Sequence, residues 1–273
     1  MKIILLLIVL SFTKNAFSVE FIAHRGFPGY TPFSIKLDPG KKHDLRSGDI
    51  MENTMAAFIR AQKYGFNKIE FDVVLTKDKK IVVAHDQNLT RVTRHSSRKK
   101  IINLTYQELQ NYNLLDGQKI ILAEEVFRRF KKTIKYDIEI KTTMGENAKT
   151  ILMNLIKLIE KYKLEDYVTL SCFRPKILKY VKKINPRIKT GFLVTNDKFY
   201  KSWSLIFLAR NYVDSVSFEH TMLNKKRVKK YQKKGYKVIA WTVDNEQRLS
   251  DLIDMGVDGI MTNMIAPKYA PRD

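Results

Sequence analysis

The chain predicts a closed (β/α)8 barrel in a single domain, with an insertion after the first strand. Three observations lead there. Apolar β-rich runs alternate with segments of helical period from Val19 to Asn263, which is the alternation of a parallel sheet carrying packed helices. Eight β units result when Lys80–Asp86 is taken as a continuation of the unit that begins at Lys68, and eight such units close into a barrel. Charged side chains also gather where these runs end: His24 and Arg25, Glu70 and Asp72, His85 and Asp86, Glu139 and Lys141. That is the end where barrel enzymes assemble their sites. A doubly wound open sheet would want a glycine-rich phosphate turn after its first strand, and HRGFPG lacks the G-x-G-x-x-G spacing.

In chain order, Lys2 supplies a positive start and Ile3–Phe12 an apolar run too short to span a bilayer comfortably. Ala16-Phe17-Ser18 then offers small residues for cleavage. Residues 1–18 therefore predict a signal peptide cut after Ser18, leaving 19–273 as an exported, periplasmic or secreted domain. Val19–Gly26 is the first strand, and Glu52–Gly65 a helix stopped by glycine. Lys68–Thr76 and Lys80–Asp86 are extended, and Gln87–Leu122 is a polar excursion with a short helix at TYQELQNY. Further strands fall at Tyr136–Lys141, Tyr167–Phe173, Lys189–Val194, Ser215–His220, Lys237–Val243 and Gly259–Asn263. Helices separate them at Ala123–Thr133, Asn147–Leu164, Arg174–Ile184, Lys201–Tyr212, Asn224–Lys234 and Asn245–Met255. Pro175 suits the first turn of its helix.

Composition narrows the function classes. With 44% hydrophobic and 29% charged residues the chain is globular, not disordered. Its formal charge of +22 is carried mostly by lysines on helices. Such faces are solvated by default, and they also attract anionic surfaces such as phospholipid headgroups. No nucleic-acid-reading motif accompanies them. Cys172 is the one cysteine, which excludes an internal disulfide and reads as a small core residue. His43, His95 and His220 read as ordinary loop and strand-end histidines.

Glu70 and Asp72 lie two apart, so on a strand both leave the same face, opposite Ile69, Phe71 and Val73. Two carboxylates on one face pack poorly and seat a hard divalent cation well.

The chain carries His24-Arg25-Gly26, Glu52-Asn53-Thr54, Glu70-Phe71-Asp72-Val73 with Thr76 and Asp78, and His85-Asp86 followed by Leu89 and Arg91. Ile138–Lys141, Ser171–Phe173, Trp241–Val243 and Gly256–Ile260 follow. In this order the motifs together resemble those of the glycerophosphodiester phosphodiesterase family. The chain departs from that pattern in the length between Gly26 and Glu52, in Met51 where a proline is usual, and in Asn263 where the closing pair has aspartate.

The resemblance implies a TIM barrel holding one divalent cation, Ca²⁺ or Mg²⁺, on Glu70, Asp72 and Glu139. It implies hydrolysis of glycerophosphodiesters to an alcohol and sn-glycerol 3-phosphate. His24 and His85 would serve as acid and base across the phosphate, in either assignment, while Arg25 and Lys141 neutralise it. The nucleophile is water or the neighbouring glycerol hydroxyl. Glu52 either joins the metal and histidine network or is a favourable charge in a first helical turn. Trp241 either covers the glycerol or is a buried barrel residue. The insertion Phe27–Met51 leaves the first strand at the mouth, with the composition of a lid or a lipid-contacting surface.

Two other readings stand beside this one. The same barrel could act as a lysophospholipase D or phospholipase-type phosphodiesterase, or as a non-catalytic barrel binding anionic lipid. No obligate protein partner and no nucleic acid is expected.

Overall fold

The computed structural model describes residues 19–28, 50–93, 98–141, 146–196 and 210–263. The expected signal peptide, most of the insertion, His43, His95 and most of the helix at 201–212 lie outside the described residues.

Eight strands run parallel: β1 (Glu20–Ala23), β2 (Lys68–Leu75), β4 (Lys135–Ile140), β5 (Val168–Cys172), β6 (Lys189–Val194), β7 (Ser215–Glu219), β8 (Lys237–Trp241) and β9 (Gly259–Thr262). β1 pairs with β9 on one side and with β2 on the other, which closes the barrel. Helices α1 (Met55–Lys63), α3 (Ala123–Phe130), α4 (Glu146–Lys161), α5 (Pro175–Ile184), α6 (Lys225–Gln232) and α7 (Glu246–Met255) connect the strands. Among the described residues no helix is long and apolar enough to cross a membrane.

Strand alternation sorts the side chains into two layers. On β2 the outward set Ile69, Phe71 and Val73 joins the main core beneath the helices, where the Phe71 ring meets Phe58 at 5.5 Å and Phe127 at 6.5 Å. Cys172 belongs to the same layer, and burial pushes its thiol up to about 12. The inward set is smaller and mixed. Ile22, Ile239 and Met261 form an apolar patch from β1, β8 and β9, with Trp241 packed on it. Lys68 stands between Glu20 (3.4 Å) and Asp137 (3.5 Å), so its buried charge is compensated from both neighbouring strands.

Three expectations need correcting. Lys80–Asp86 stays with the second unit, so the count of eight stands, but it is a hairpin arm and not a continuation of the strand. β3 (Ile81–Val83) folds back antiparallel on β2, pairing Val83 with Val73. The turn between them is too short for the crossover a parallel pair requires, and Lys79 at φ 61° makes it tight. The first helix begins at Met55, not Glu52, because Thr54 is its cap and accepts the Ala57 N–H at 3.2 Å. Asn53, at φ 60°, turns the chain before that cap. The excursion 87–122 is also less polar than its composition suggests. Leu89, Ile101, Leu104, Leu109, Leu114 and Ile120 bury against Met51, Val74 and Val82 in a second small core. With the short helix α2 (Tyr106–Leu109) and its Thr105/Glu108 capping box, this layer flanks the mouth of the barrel.

Candidate active site

The site starts from the turn that ends β1. Arg25, Gly26 and Phe27 all have positive φ (50°, 83° and 66°), a left-handed run that costs energy at the two residues bearing a Cβ. At Gly26 a Cβ would lie 2.6 Å from Cε1 of Phe58, so only glycine fits. The turn aims backbone groups usefully. The Arg25 N–H donates to Glu70 Oε2 at 2.8 Å, and the Arg25 carbonyl accepts from the Asn53 N–H at 2.9 Å.

Glu70 and Asp72 from β2 and Glu139 from β4 meet inside the barrel mouth, each offering an oxygen within 4.8 Å of the others. Asp72 and Glu139 face each other in the β2–β4 register. Burial pushes the Glu70 carboxyl up, and the nearby Asp72 and Glu139 push it further. Burial raises Glu139 too, with Lys141 opposing. For Asp72, burial works to raise the carboxyl, but Lys141, His85 and Arg25 outweigh it and hold it well below the usual range. Lys141 Nζ lies 2.7 Å from Glu139 and 3.2 Å from Asp72. Lys141 and the Arg25 guanidinium, 3.7 Å from Asp72, face three carboxylates, of which Glu70 and Asp72 are buried and Glu139 half-buried. An all-oxygen donor set of this kind fits a hard divalent cation.

The two histidines flank this cluster on different supports. His24 Nδ1 bonds Asn263 Oδ1 at 2.8 Å. Asp244 takes both the Asn263 side-chain N–H (2.6 Å) and its backbone N–H (2.8 Å). The amide is thereby turned so that its oxygen faces the imidazole, which makes Nδ1 the donor and leaves the lone pair on Nε2. Nε2 stands 4.0 Å from Glu70 Oε2. Burial, then the Arg25 charge, lowers the His24 imidazole to about 3, so it is neutral at physiological pH. His85 is half-buried and its Nδ1 lies 2.6 Å from Asp86 Oδ1. Burial alone would raise Asp86, but hydrogen bonds from His85 and Arg91 hold it below the carboxylate range.

Arg91 is the residue whose importance sequence reading missed. Its Nε donates to Asp86 at 2.7 Å, while Nη1 and Nη2 grip both oxygens of Glu52 at 2.9 and 2.6 Å. Arg25 Nη1 reaches the same Glu52 at 2.8 Å. Glu52, 3% exposed, thus ties Arg25 to the His85–Asp86 pair. It precedes the helix cap, so it is not a first-turn charge; it reaches the histidine side through Arg91, and the metal cluster among the described residues is Glu70, Asp72 and Glu139 without it. Asn53 was likewise only a motif letter. Its amide nitrogen donates to Asp72 Oδ2 at 3.0 Å.

Arg25 is 2% exposed, with Glu52 and Asp72 around its guanidinium, and Lys141 leans on two carboxylates. Trp241 is half-buried, donates Nε1–H to the Ser217 carbonyl at 2.8 Å and meets Phe173 edge-on at 5.7 Å.

The sequence profile of the glycerophosphoryl diester phosphodiesterase family matches residues 24–266. The chain is 32% identical over 229 residues to the glycerophosphodiester phosphodiesterase of Caldanaerobacter subterraneus subsp. tengcongensis, covering 81% of this chain and 92% of that one. It is 26% identical over 264 residues to the lysophospholipase D GDPD1 of Homo sapiens, covering 81% and 82%. The fold is similar to a phosphodiesterase from Oleispira antarctica whose structure is in complex with the product sn-glycerol-3-phosphate. There the TM-score is 0.72 at 22% identity, over 89% of this chain and 92% of that one.

Proposed function

This chain is an enzyme of the glycerophosphoryl diester phosphodiesterase family, and from that premise we propose that it cuts glycerophosphodiesters into an alcohol and sn-glycerol 3-phosphate with a divalent cation bound. The carrying observation is the set Glu70, Asp72 and Glu139, with oxygens within 4.8 Å of one another, standing between two histidines. Glu70, Asp72 and Glu139 would hold Ca²⁺ or Mg²⁺, which supplies charge neutralisation to the phosphate when bound.

The chain's own residues do the rest. His24, kept neutral with Nδ1 committed to Asn263, presents Nε2 as a base to the attacking water, or to the glycerol hydroxyl whose cyclic phosphate water then opens. His85, held by Asp86, hands a proton to the departing alcohol oxygen. Lys141, paired with Asp72 and Glu139 but only half-buried, would meet a phosphate oxygen, and the buried Arg25 would add its charge. Trp241, half-buried at the end of β8 and edge-on to Phe173, would cover the glycerol moiety. Export and peripheral contact with anionic membrane belong to the same proposal. They rest on the composition of residues 1–18 and on the charge of +22.

The test gives purified protein glycerophosphocholine, glycerophosphoethanolamine and lysophosphatidylcholine, with Ca²⁺, Mg²⁺ or excess chelator. Release of sn-glycerol 3-phosphate from the soluble diesters, abolished by chelator, is the expected result. Lysophosphatidate as the main phosphate product would move the enzyme to lysophospholipase D, the activity named for its human relative. No hydrolysis of any of the three would refute the proposal.

A further inference from the structure

Beside the carboxylate cluster lies a cavity of about 110 Å³, between the small second core and the first turns of α4. Its walls are aliphatic, Val74, Ile101 and Ile151 among them, and its polar groups are the Gln87 and Asn147 carboxamides and Lys141. Lys141 links the two places, because it lines this cavity and sets its Nζ 3.2 Å from Asp72 and 2.7 Å from Glu139. A phosphate neutralised there would have one of its two ester arms beside the opening.

The geometry points to this cavity as the seat of the departing alcohol, and to a small neutral polyol, of the size of glycerol or inositol, as the class it selects. This rests on the proposed diester hydrolysis and names its substrate preference. Size is the first reason. The space is several times the roughly 10–15 Å³ that one water requires, enough for a handful of non-hydrogen atoms and too little for an acyl chain. Chemistry is the second. Carboxamides both donate and accept, which suits vicinal hydroxyls, and aliphatic walls suit the carbon face of a polyol. A quaternary ammonium is recognised by aromatic faces or by carboxylates, and among the described lining residues there is neither.

The experiment compares diesters of glycerol 3-phosphate that differ only in the second alcohol: glycerol, inositol, choline and methanol. With the parent enzyme, kcat/KM for the glycerol and inositol diesters should exceed that for the choline diester by about ten-fold or more, the scale of a few matched polar contacts. Asn147 and Gln87 are exposed, so changing them spares the fold. Asn147→Trp, which places a ring in the opening, should lower the glycerol-to-methanol ratio of kcat/KM by about ten-fold. Gln87→Leu should lower it in the same direction, and it replaces Asn147→Trp if circular dichroism shows that variant misfolded. A ratio unmoved by both variants, or a choline diester cut as well as the glycerol diester, overturns the inference while leaving the hydrolysis itself intact. A parent inactive on all four diesters would instead refute the proposed function, and this inference with it.

Discussion

Replacing Arg91 by methionine removes three charge-assisted hydrogen bonds, two to Glu52 and one to Asp86. Breaking a buried ion pair costs about 3–5 kcal/mol, mainly because the surviving charge stays desolvated. Here Glu52 keeps Arg25 at 2.8 Å and Asp86 is partly open to water, so the low end, about 3 kcal/mol, is expected. Urea unfolding reads that loss. The same change frees the His85–Asp86 pair, and a misplacement of the order of 1 Å costs about 10²-fold in rate. Glu52→Gln should destabilise as well, since Arg25 and Arg91 would then share a neutral amide. If the three side chains act as one network, the Glu52→Gln/Arg91→Met double variant should lose less than the sum of the single losses, by about 1–3 kcal/mol. Single losses below about 0.5 kcal/mol that simply add would place Arg91 among ordinary surface residues. That result would refute the claim that it holds His85.

Two further outcomes follow from the same geometry. His24→Ala and His85→Ala should each slow hydrolysis by about 10²–10⁴-fold without unfolding the barrel. With a nitrophenyl leaving group the loss for His85→Ala should shrink, because an acidic alcohol departs without help; an equal loss in both variants would undo the assignment of His85 as the acid. Gly26→Ala must carry a Cβ at φ 83° against the Phe58 ring, and should destabilise by about 1–3 kcal/mol in thermal unfolding. An unchanged Tm would mean the turn after β1 relaxes freely.

How much of this was legible in the sequence depends on the range of the interaction that decides each feature. Strand alternation is local, so the pattern of KIEFDVV already placed Glu70 and Asp72 together and Phe71 with the core. The barrel followed from counting units, and keeping Lys80–Asp86 with the second unit gave the right eight, although that segment is a hairpin arm and not more of the same strand. Extended residues look alike whether they continue a strand or fold back on it, and the short turn at Lys79 decides between the two. The start of α1 was misplaced because Glu52 suits a first helical turn, while two arginines distant in sequence draw it elsewhere. Arg91 stood in a motif with no role attached, and Asp244 carried no local signal. Their roles arise only when chain closure brings them to Glu52 and Asn263, over separations of 39 and 19 residues. The second core was hidden for a similar reason. Its leucines are spread through a polar stretch and show no period until the stretch folds onto Met51 and Val82.

The central claim is that Glu70, Asp72 and Glu139 form one divalent-cation site on which hydrolysis depends. Calorimetric titration of chelator-treated protein with Ca²⁺ and Mg²⁺, paired with activity at each point, tests it most directly. One ion per chain should bind, with activity rising in step with occupancy. Asp72→Asn and Glu139→Gln should lose binding and activity together while keeping the far-ultraviolet circular dichroism of the parent. Full hydrolysis in the stripped protein, or ion binding unaltered by both substitutions, would contradict the account.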